Sequence, residues 1–567
     1  MALNSTELNE SATSGRNAKI LNVSTEGALH VLMLVAAVAF IAMHFLHLAA
    51  DFPNYSPWVD WSKYTDEGWY GDAAVRYFER GHWYVRGDFN PAAALPVWPA
   101  LESLVFHFTG VSLIAARGLT VFIFACILLV SYALISRWQR LTAGSRRVGF
   151  APSIAVLLLA VSPFCYVFTR LAILEPLLIL LTVASLLAVS FFERGGRPCG
   201  RSWHSMRPLF CVFALGLLLP LMVLTKTTGV FLFPSIFWLL FARSGFRVRP
   251  FLMRLGPIGL VSFIVWGAYF LMFVRPRYLE DYRYLFSANA YTGITLANAI
   301  SVLSATVSDG LWIGRVIYPV AILCTFATLF AHGRLRENPL IPALMLWAAG
   351  YSCFLAYHDN LQPRYYLVVA VPLTLLVAVV VDGLSFAPMW EHRPGLVQRA
   401  LAVFSAAVLL FVALSDGVQT WHYVRTPEYT FLTAARAIHQ IVSSDKEHST
   451  LVLSISGSDL SLMTGLPSIC DDFGTMELAE RVRKYRPGWY VAWNQVDDDK
   501  MDSLTSLYRL QRVAAFPAFD DPDRNLLILY RLDDSAPGAA GRRRSHAVPR
   551  RLQTKVGQQP SVIQLEH

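Results

Sequence analysis

The stretch TDEGWYGDAAVRYFERGHWYVRGDFNPAAALPVWP, residues 65–99, decides how the rest of the chain is read. It opens on adjacent carboxylates, Asp66 and Glu67, runs through Gly68, Trp69, Tyr70, Gly71 and Asp72, and closes on Asp88, Asn90 and three prolines. Apolar sequence flanks it on both sides. A polar segment of this size between apolar runs is either disordered or functional, and its Trp and Tyr content is too high for ordinary disorder. We read it as an ordered, membrane-associated loop that carries a site, and the remainder as the scaffold that holds it.

Composition supports the scaffold reading. Of 567 residues, 55% are hydrophobic and 15% charged, and mean hydropathy is +0.45, values that exclude an ordinary soluble protein. The net charge of +9 is scattered through short loops between apolar runs, as membrane orientation requires, and does not form a nucleic-acid surface. Cys199 and Cys470 are isolated in polar sequence, and the other cysteines lie in or at the ends of apolar runs, so neither a disulfide framework nor a metal-type Cys/His spacing is present.

Eleven apolar runs are long enough, or nearly so, to cross a hydrocarbon core of about 30 Å: 28–50, 112–135, 150–168, 171–192, 208–225, 229–241, 254–274, 312–331, 339–357, 365–381 and 400–414. Residues 1–27 form a cytoplasmic tail. Counted alternately, the arginine-rich loops at 137–147, 194–207, 243–249, 334–336 and 393–399 all fall inside, and the parity closes without adjustment. The acidic loop, 51–111, then lies outside. Its second half, 95–109, is apolar but broken by Pro96 and Pro99 and is expected along the interface. The transmembrane region spans 28–416. From 417 to 535 the runs LVLSI, WYVAW and LLILY alternate with helical patterns, which predicts a small extracytoplasmic α/β domain. Its acids cluster in surface runs such as Asp497–Asp499, and no nucleophile is paired with a base, so it is expected to be accessory. Residues 536–567 read as a disordered basic tail.

Polar residues at span ends collect on the same outer face: Arg170, Glu175, Lys226, and the turn His358, Asp359, Asn360, Gln362, Arg364, Tyr365 and Tyr366. A carboxylate at the membrane surface, Asp66 or Glu67, can take the proton of an attacking hydroxyl. Lys226 and Arg364 have the cationic groups for a lipid phosphate, Arg364 with bidentate geometry. Equally ordinary readings exist: solvated loop acids, a turn at Asp88, a snorkelling lysine, an aromatic belt of tyrosines. Arg170 and Glu175 are five residues apart, which is not helix ion-pair spacing, so each is expected to meet another element.

Together, the DEG opening, the YVRGDFNP stretch, the R…LEP span, the LTK span end and the QPRYY turn resemble bacterial glycosyltransferase family 39, over roughly residues 29–414. That family belongs to the GT-C membrane glycosyltransferases, with protein O-mannosyltransferases and lipid A aminoarabinose transferases as relatives. The resemblance implies a polytopic GT-C fold at the inner (plasma) membrane. It also implies transfer of a sugar from a polyprenyl-phosphate donor to an extracytoplasmic lipid, glycan or protein. Asp66 takes the place of the catalytic base, with Glu67 its neighbour and Asp88 the later loop acid. Lys226, Arg364 and Tyr365, joined by Arg170, stand as donor or phosphate contacts, with Glu175, Tyr366 and His358 supporting them. No cofactor motif is present, and a divalent metal is compatible with so acidic a loop. Two departures stand out: Glu175 replaces a frequent Asp, and Asn90-Pro91-Ala92 replaces a Lys-Pro-Pro or His-Pro-Pro. The competing classes are a transporter, which would show midplane polar groups and paired repeats, and a lipid-carrier glycan ligase or polymerase.

Overall fold

The computed structural model describes residues 26–143, 149–193, 206–288, 295–330, 334–358, 362–388, 395–521 and 524–534. The basic tail expected from 536, and all but the last two residues of the expected N-terminal tail, lie outside the described residues.

The chain is a bundle of apolar helices with a small α/β unit seated on one end. In order the helices are α1 Glu26–His44, α2 Asp66–Arg80, α3 Val97–Thr109, α4 Leu113–Ala143, α5 Ala151–Val161, α6 Pro163–Phe168, α7 Leu174–Val189 and α8 Met206–Thr225. They continue as α9 Phe233–Arg243, α10 Val248–Tyr269, α11 Leu279–Ala288, α12 Ala299–Ser308, α13 Ile317–Phe330, α14 Arg334–Glu337, α15 Leu340–His358, α16 Leu367–Val381 and α17 Leu396–Arg425. Among the described residues six helices are long and apolar enough to cross a membrane, the α12–α13 pair, bent by 118°, makes a seventh if counted as one span, and four further apolar helices are shorter. Each coincides with one of the eleven runs read from the sequence.

Burial sorts the spans. α16 is apolar on every side and almost wholly buried, which makes it the central helix, whereas α1 exposes Val31, Leu32, Val35 and Val38 along a lipid-facing stripe. Two spans differ from expectation. The run 150–168 is two helices, because Pro163 cannot continue the α5 hydrogen-bond ladder and Ser162 Oγ accepts the Cys165 amide at 3.2 Å to start α6. The last span does not stop near 414 but continues to Arg425 as a rod leading to the α/β unit.

The largest difference is in the acidic segment. Residues 66–80, read as a loop, form helix α2. Gly68 and Gly71 lie inside it. A β-carbon on Gly68 would come within 2.1 Å of the Ser458 carbonyl carbon, and one on Gly71 within 2.3 Å of Glu102 Oε2. Their helix-propensity cost of about 1 kcal/mol each is the condition for two other elements to reach the helix backbone. The interfacial helix expected at 95–109 is α3.

The α/β unit begins with α18 Thr430–Ser444 and contains α19 Gly457–Thr464, α20 Leu478–Tyr485 and α21 Asp498–Thr505. Its strands are β1 Val452–Leu453, β2 Ser468–Ile469, β3 Trp489–Trp493, β4 Tyr508–Pro517 and β5 Leu526–Asp534. The sheet order is β2-β1-β3-β5-β4, with β1 parallel to both neighbours and β5 antiparallel to β3 and β4. LVLSI, WYVAW and LLILY became β1, β3 and β5. β2 is only two residues long, and β4 carries Arg509 and Arg512 and a register shift at 512–514, so neither showed a strand pattern.

Candidate active site

The N-terminus of α2 is where the structure brings the sequence candidates together. Asp66 is buried. Thr65 Oγ1 donates to its Oδ1 at 3.0 Å, and its Oδ2 lies 2.9 Å from Arg364 Nη2 without the alignment of a hydrogen bond. Arg364 opens the short helical turn Pro363–Tyr366, where Gln362-Pro363 breaks the chain between α15 and α16. Its guanidinium is also paired with Asp60, its amide donates to Asp60 Oδ2 at 2.8 Å, and its Nη2 donates to the Tyr365 hydroxyl at 3.1 Å. One arginine therefore stands between two carboxylates. Burial pushes the Asp66 carboxyl above the usual carboxylate range; Arg364 opposes that shift, and Asp60 and Glu175 add to it.

Lys226, in the break between α8 and the following turn, forms a buried ion pair with Glu175 at the start of α7. Its ammonium lies 4.2 Å from the centre of the Tyr365 ring, and the Arg364 guanidinium 4.6 Å from the same ring, so Tyr365 separates and orients the two cations. Tyr351, buried on α15, sets its hydroxyl 3.5 Å from Thr228 Oγ1. Tyr70 lies one turn along α2 from Asp66; burial first, then the Asp66 charge, holds its phenol well above its ordinary range. Among the described residues, buried Glu175 Oε2 has no hydrogen-bond partner. Three carboxylates against two cations leave the cluster with one acid in excess.

The other candidates lie apart from this cluster. Glu67 is gripped by Arg117, Nε to Oε1 at 2.7 Å and Nη2 to Oε2 at 2.6 Å, and its Oε1 also accepts the Ala172 amide at 2.8 Å. It clasps α2 to α4 and to the link that precedes α7. Arg170 donates to the Tyr166 hydroxyl and, at 2.7 Å, to the Leu46 carbonyl, securing the end of α1. Asp88 pairs with Arg76 at 2.6 Å, accepts the Cys470 amide at 3.0 Å and faces Arg481 at 3.5 Å; with Asp72 it forms a second ionic cluster toward the other end of α2. Asn90 accepts from Arg76 and donates to Asp281. Tyr366 donates to the Thr306 carbonyl at 2.9 Å, anchoring α12. The His358 side chain lies outside the described residues. Among the described residues no group of three or more His, Cys, Asp or Glu is placed to hold a metal ion.

Sequence reasoning missed Asp60, Tyr70, Tyr351 and Arg117. Asp60 in WVDWSK shows no local pattern, and Tyr351 reads as core. Charge offered one signal: Arg117 is a lone arginine in the first third of a span, which calls for a buried partner.

No protein-family model matches the chain, and no curated protein sequence matches it. Solved structures do. The chain is similar to ArnT from Cupriavidus metallidurans bound to undecaprenyl phosphate, with TM-score 0.56 and 16% identity over 88% of this chain and 97% of that one. Against ArnT from the same organism in the apo state the TM-score is 0.53, at 15% identity over 89% and 98%. It is also similar to the archaeal oligosaccharyltransferase AglB from Archaeoglobus fulgidus in complex with an inhibitory peptide and a dolichol-phosphate, with TM-score 0.50 and 12% identity over 89% and 74%. At these identities the likeness is one of fold, and the many-helix bundle with a small α/β unit expected from the sequence is the fold observed and shared with these structures.

Proposed function

We propose that this GT-C chain is a membrane glycosyltransferase that moves a sugar from a polyprenyl-phosphate donor to an extracytoplasmic lipid, glycan or protein acceptor, with Asp66 as general base. The observation that carries the reading is the assembly of Asp66, Arg364 and the Lys226–Glu175 pair around Tyr365. The lipid ligands of the similar structures, undecaprenyl phosphate and dolichol-phosphate, support the donor class.

The chemistry follows from the groups present. The acceptor oxygen forms a bond to the anomeric carbon as the bond from that carbon to the phosphate oxygen breaks. The acceptor proton passes to Asp66, and the electron pair leaves with the phosphate. Phosphate on a polyprenol is a good leaving group, so a base and cations suffice. Arg364 and Lys226 supply the cations, and each already has a carboxylate partner, which spares the cost of an unpaired buried charge before the donor arrives. Donor phosphate then exchanges with Glu175 at Lys226 and shares Arg364 with Asp60 and Asp66. Positive-inside counting supports an outer position for the site in the inner membrane.

Purified protein supplied with a radiolabelled polyprenyl-phosphate sugar tests this. Transfer of label to an acceptor is expected, and mass spectrometry of lipid that co-purifies identifies the carrier. Vesicles that accumulate a solute while no donor is consumed with any acceptor would establish a transporter instead.

A further inference from the structure

The α/β unit touches α2 at its catalytic end, and the contact is unusual. A helix of this kind is normally capped by the side chain of its N-cap residue, which accepts the amide of the third helical residue. In α2 the N-cap is Thr65 and the third residue Gly68, but Thr65 makes no such bond. Its hydroxyl is directed to Asp66 Oδ1 instead. The Gly68 amide donates to Asp459 Oδ1, from α19 of the distant α/β unit. Asp459 is itself the third residue of α19, where an acidic side chain usually reaches back to its own N-cap amide. That amide, on Ser456, is served at 3.2 Å by Ser454 Oγ, which leaves Asp459 to reach across.

We infer that Asp459 is the N-cap of α2 supplied from the α/β unit, and that it is a positioning residue for Asp66. By capping α2 from outside, it releases the Thr65 hydroxyl to hold the Asp66 carboxylate toward Arg364. The absent β-carbon of Gly68 is what admits it: an added one would lie 2.2 Å from the Asp459 amide nitrogen and 2.1 Å from the Ser458 carbonyl carbon. The approach is fixed on either side by Trp69 Nε1 donating to the Ile455 carbonyl at 3.1 Å and by Lys63 and Tyr64, which both meet Asp521. Beyond the end of α2, the Asp88–Arg481 contact and the Asp88–Cys470 amide bond tie the following loop to the same α/β unit. With so many contacts, loss of Asp459 alone leaves the unit in place and disturbs only the first turn of α2.

Burial holds the Asp459 carboxyl well above the usual range, Glu67 and Asp66 act in the same direction, and the Gly68 amide and Arg117 oppose it. Asparagine at 459 keeps an acceptor oxygen for the Gly68 amide.

The inference rests on Asp66 being the base, and the variants separate the two. Asp459→Ala is expected to lower kcat by about a hundredfold, the scale of a small misplacement of a catalytic group, while donor affinity, set on other elements, changes by less than about threefold. Water reaching the first turn relieves the burial of Asp66, so the acid limb of the pH–rate profile moves to lower pH. Asp459→Asn is expected to restore both rate and profile. Gly68→Ala, which pushes α19 away, should reproduce the alanine phenotype and decides the matter if Asp459→Ala fails to fold. Normal turnover in Asp459→Ala or Gly68→Ala, with Asp66→Asn inactive, overturns the inference and leaves the base in place. A folded Asp459→Asn as slow as the alanine variant also overturns it. Normal turnover in Asp66→Asn overturns the base assignment and the inference together.

Discussion

With Asp66 as the proposed base, its surroundings, Arg364 and Asp60 above all, set the pH behaviour expected of the site. A base works only when ionised, so turnover rises with pH through the Asp66 midpoint. Burial, Asp60 and Glu175 raise that midpoint against Arg364, so the acid limb should lie above the ordinary carboxylate range near 4. Asp60→Asn removes a raising charge and gives Asp66 the whole of Arg364, and the limb should move to lower pH; an unmoved limb would mean another group limits the rate. Lys226→Ala should weaken donor binding and slow phosphate departure, by a factor of about ten or more for a lost charge-assisted contact, measured as donor Kd and single-turnover rate. These residues were legible to different degrees. Lys226, Glu175 and Arg364 stand out because charge at the end of an apolar run is costly and conspicuous. Asp60 and Tyr351 matter only through what the fold places beside them, and nothing in their local sequence records it.

At the scale of elements, α2 shows why the acidic stretch was read as a loop. Two glycines three residues apart among charged residues match turn statistics, and helix propensity alone disfavours them. What stabilises the helix is tertiary: Ser458 and Glu102 press on the glycine positions, and Glu67 clasps Arg117. The clasp is a buried pair, and truncating one partner strands the other charge. Glu67→Ala is therefore expected to destabilise the protein by about 3 to 5 kcal/mol, read as a large fall in the thermal midpoint. A midpoint unchanged from the parent protein would show that the pair is not structural. The spans were readable because apolar length is dictated by the bilayer; the break at Ser162–Pro163 was equally written in the sequence, as a proline after a capping serine. Strands β2 and β4 were not, being respectively too short and too charged at an edge.

The whole molecule is a bundle of apolar helices, similar in fold to ArnT and AglB, whose α/β unit rests on the helix that bears the proposed base. The sequence predicts an accessory unit, and no side chain of it meets the Asp66–Arg364 pair directly in the contacts described. Its seat on Gly68, Trp69 and Asp88 nonetheless ties it to the site. Truncation after Arg425, at the end of α17, should leave donor binding at the proposed contacts Lys226 and Arg364 while turnover falls, and equal loss of both would mean that the unit supports the bundle as a whole. The account as a whole stands on sugar transfer that depends on Asp66. The most direct measurement is transfer of radiolabelled sugar from a polyprenyl-phosphate donor to acceptors in a membrane extract, by purified wild-type protein and by Asp66→Asn. Label transfer by the wild type, with a fall of about a hundredfold to ten-thousandfold in the variant and undiminished donor binding, is the predicted result; transfer at the wild-type rate by Asp66→Asn would contradict it.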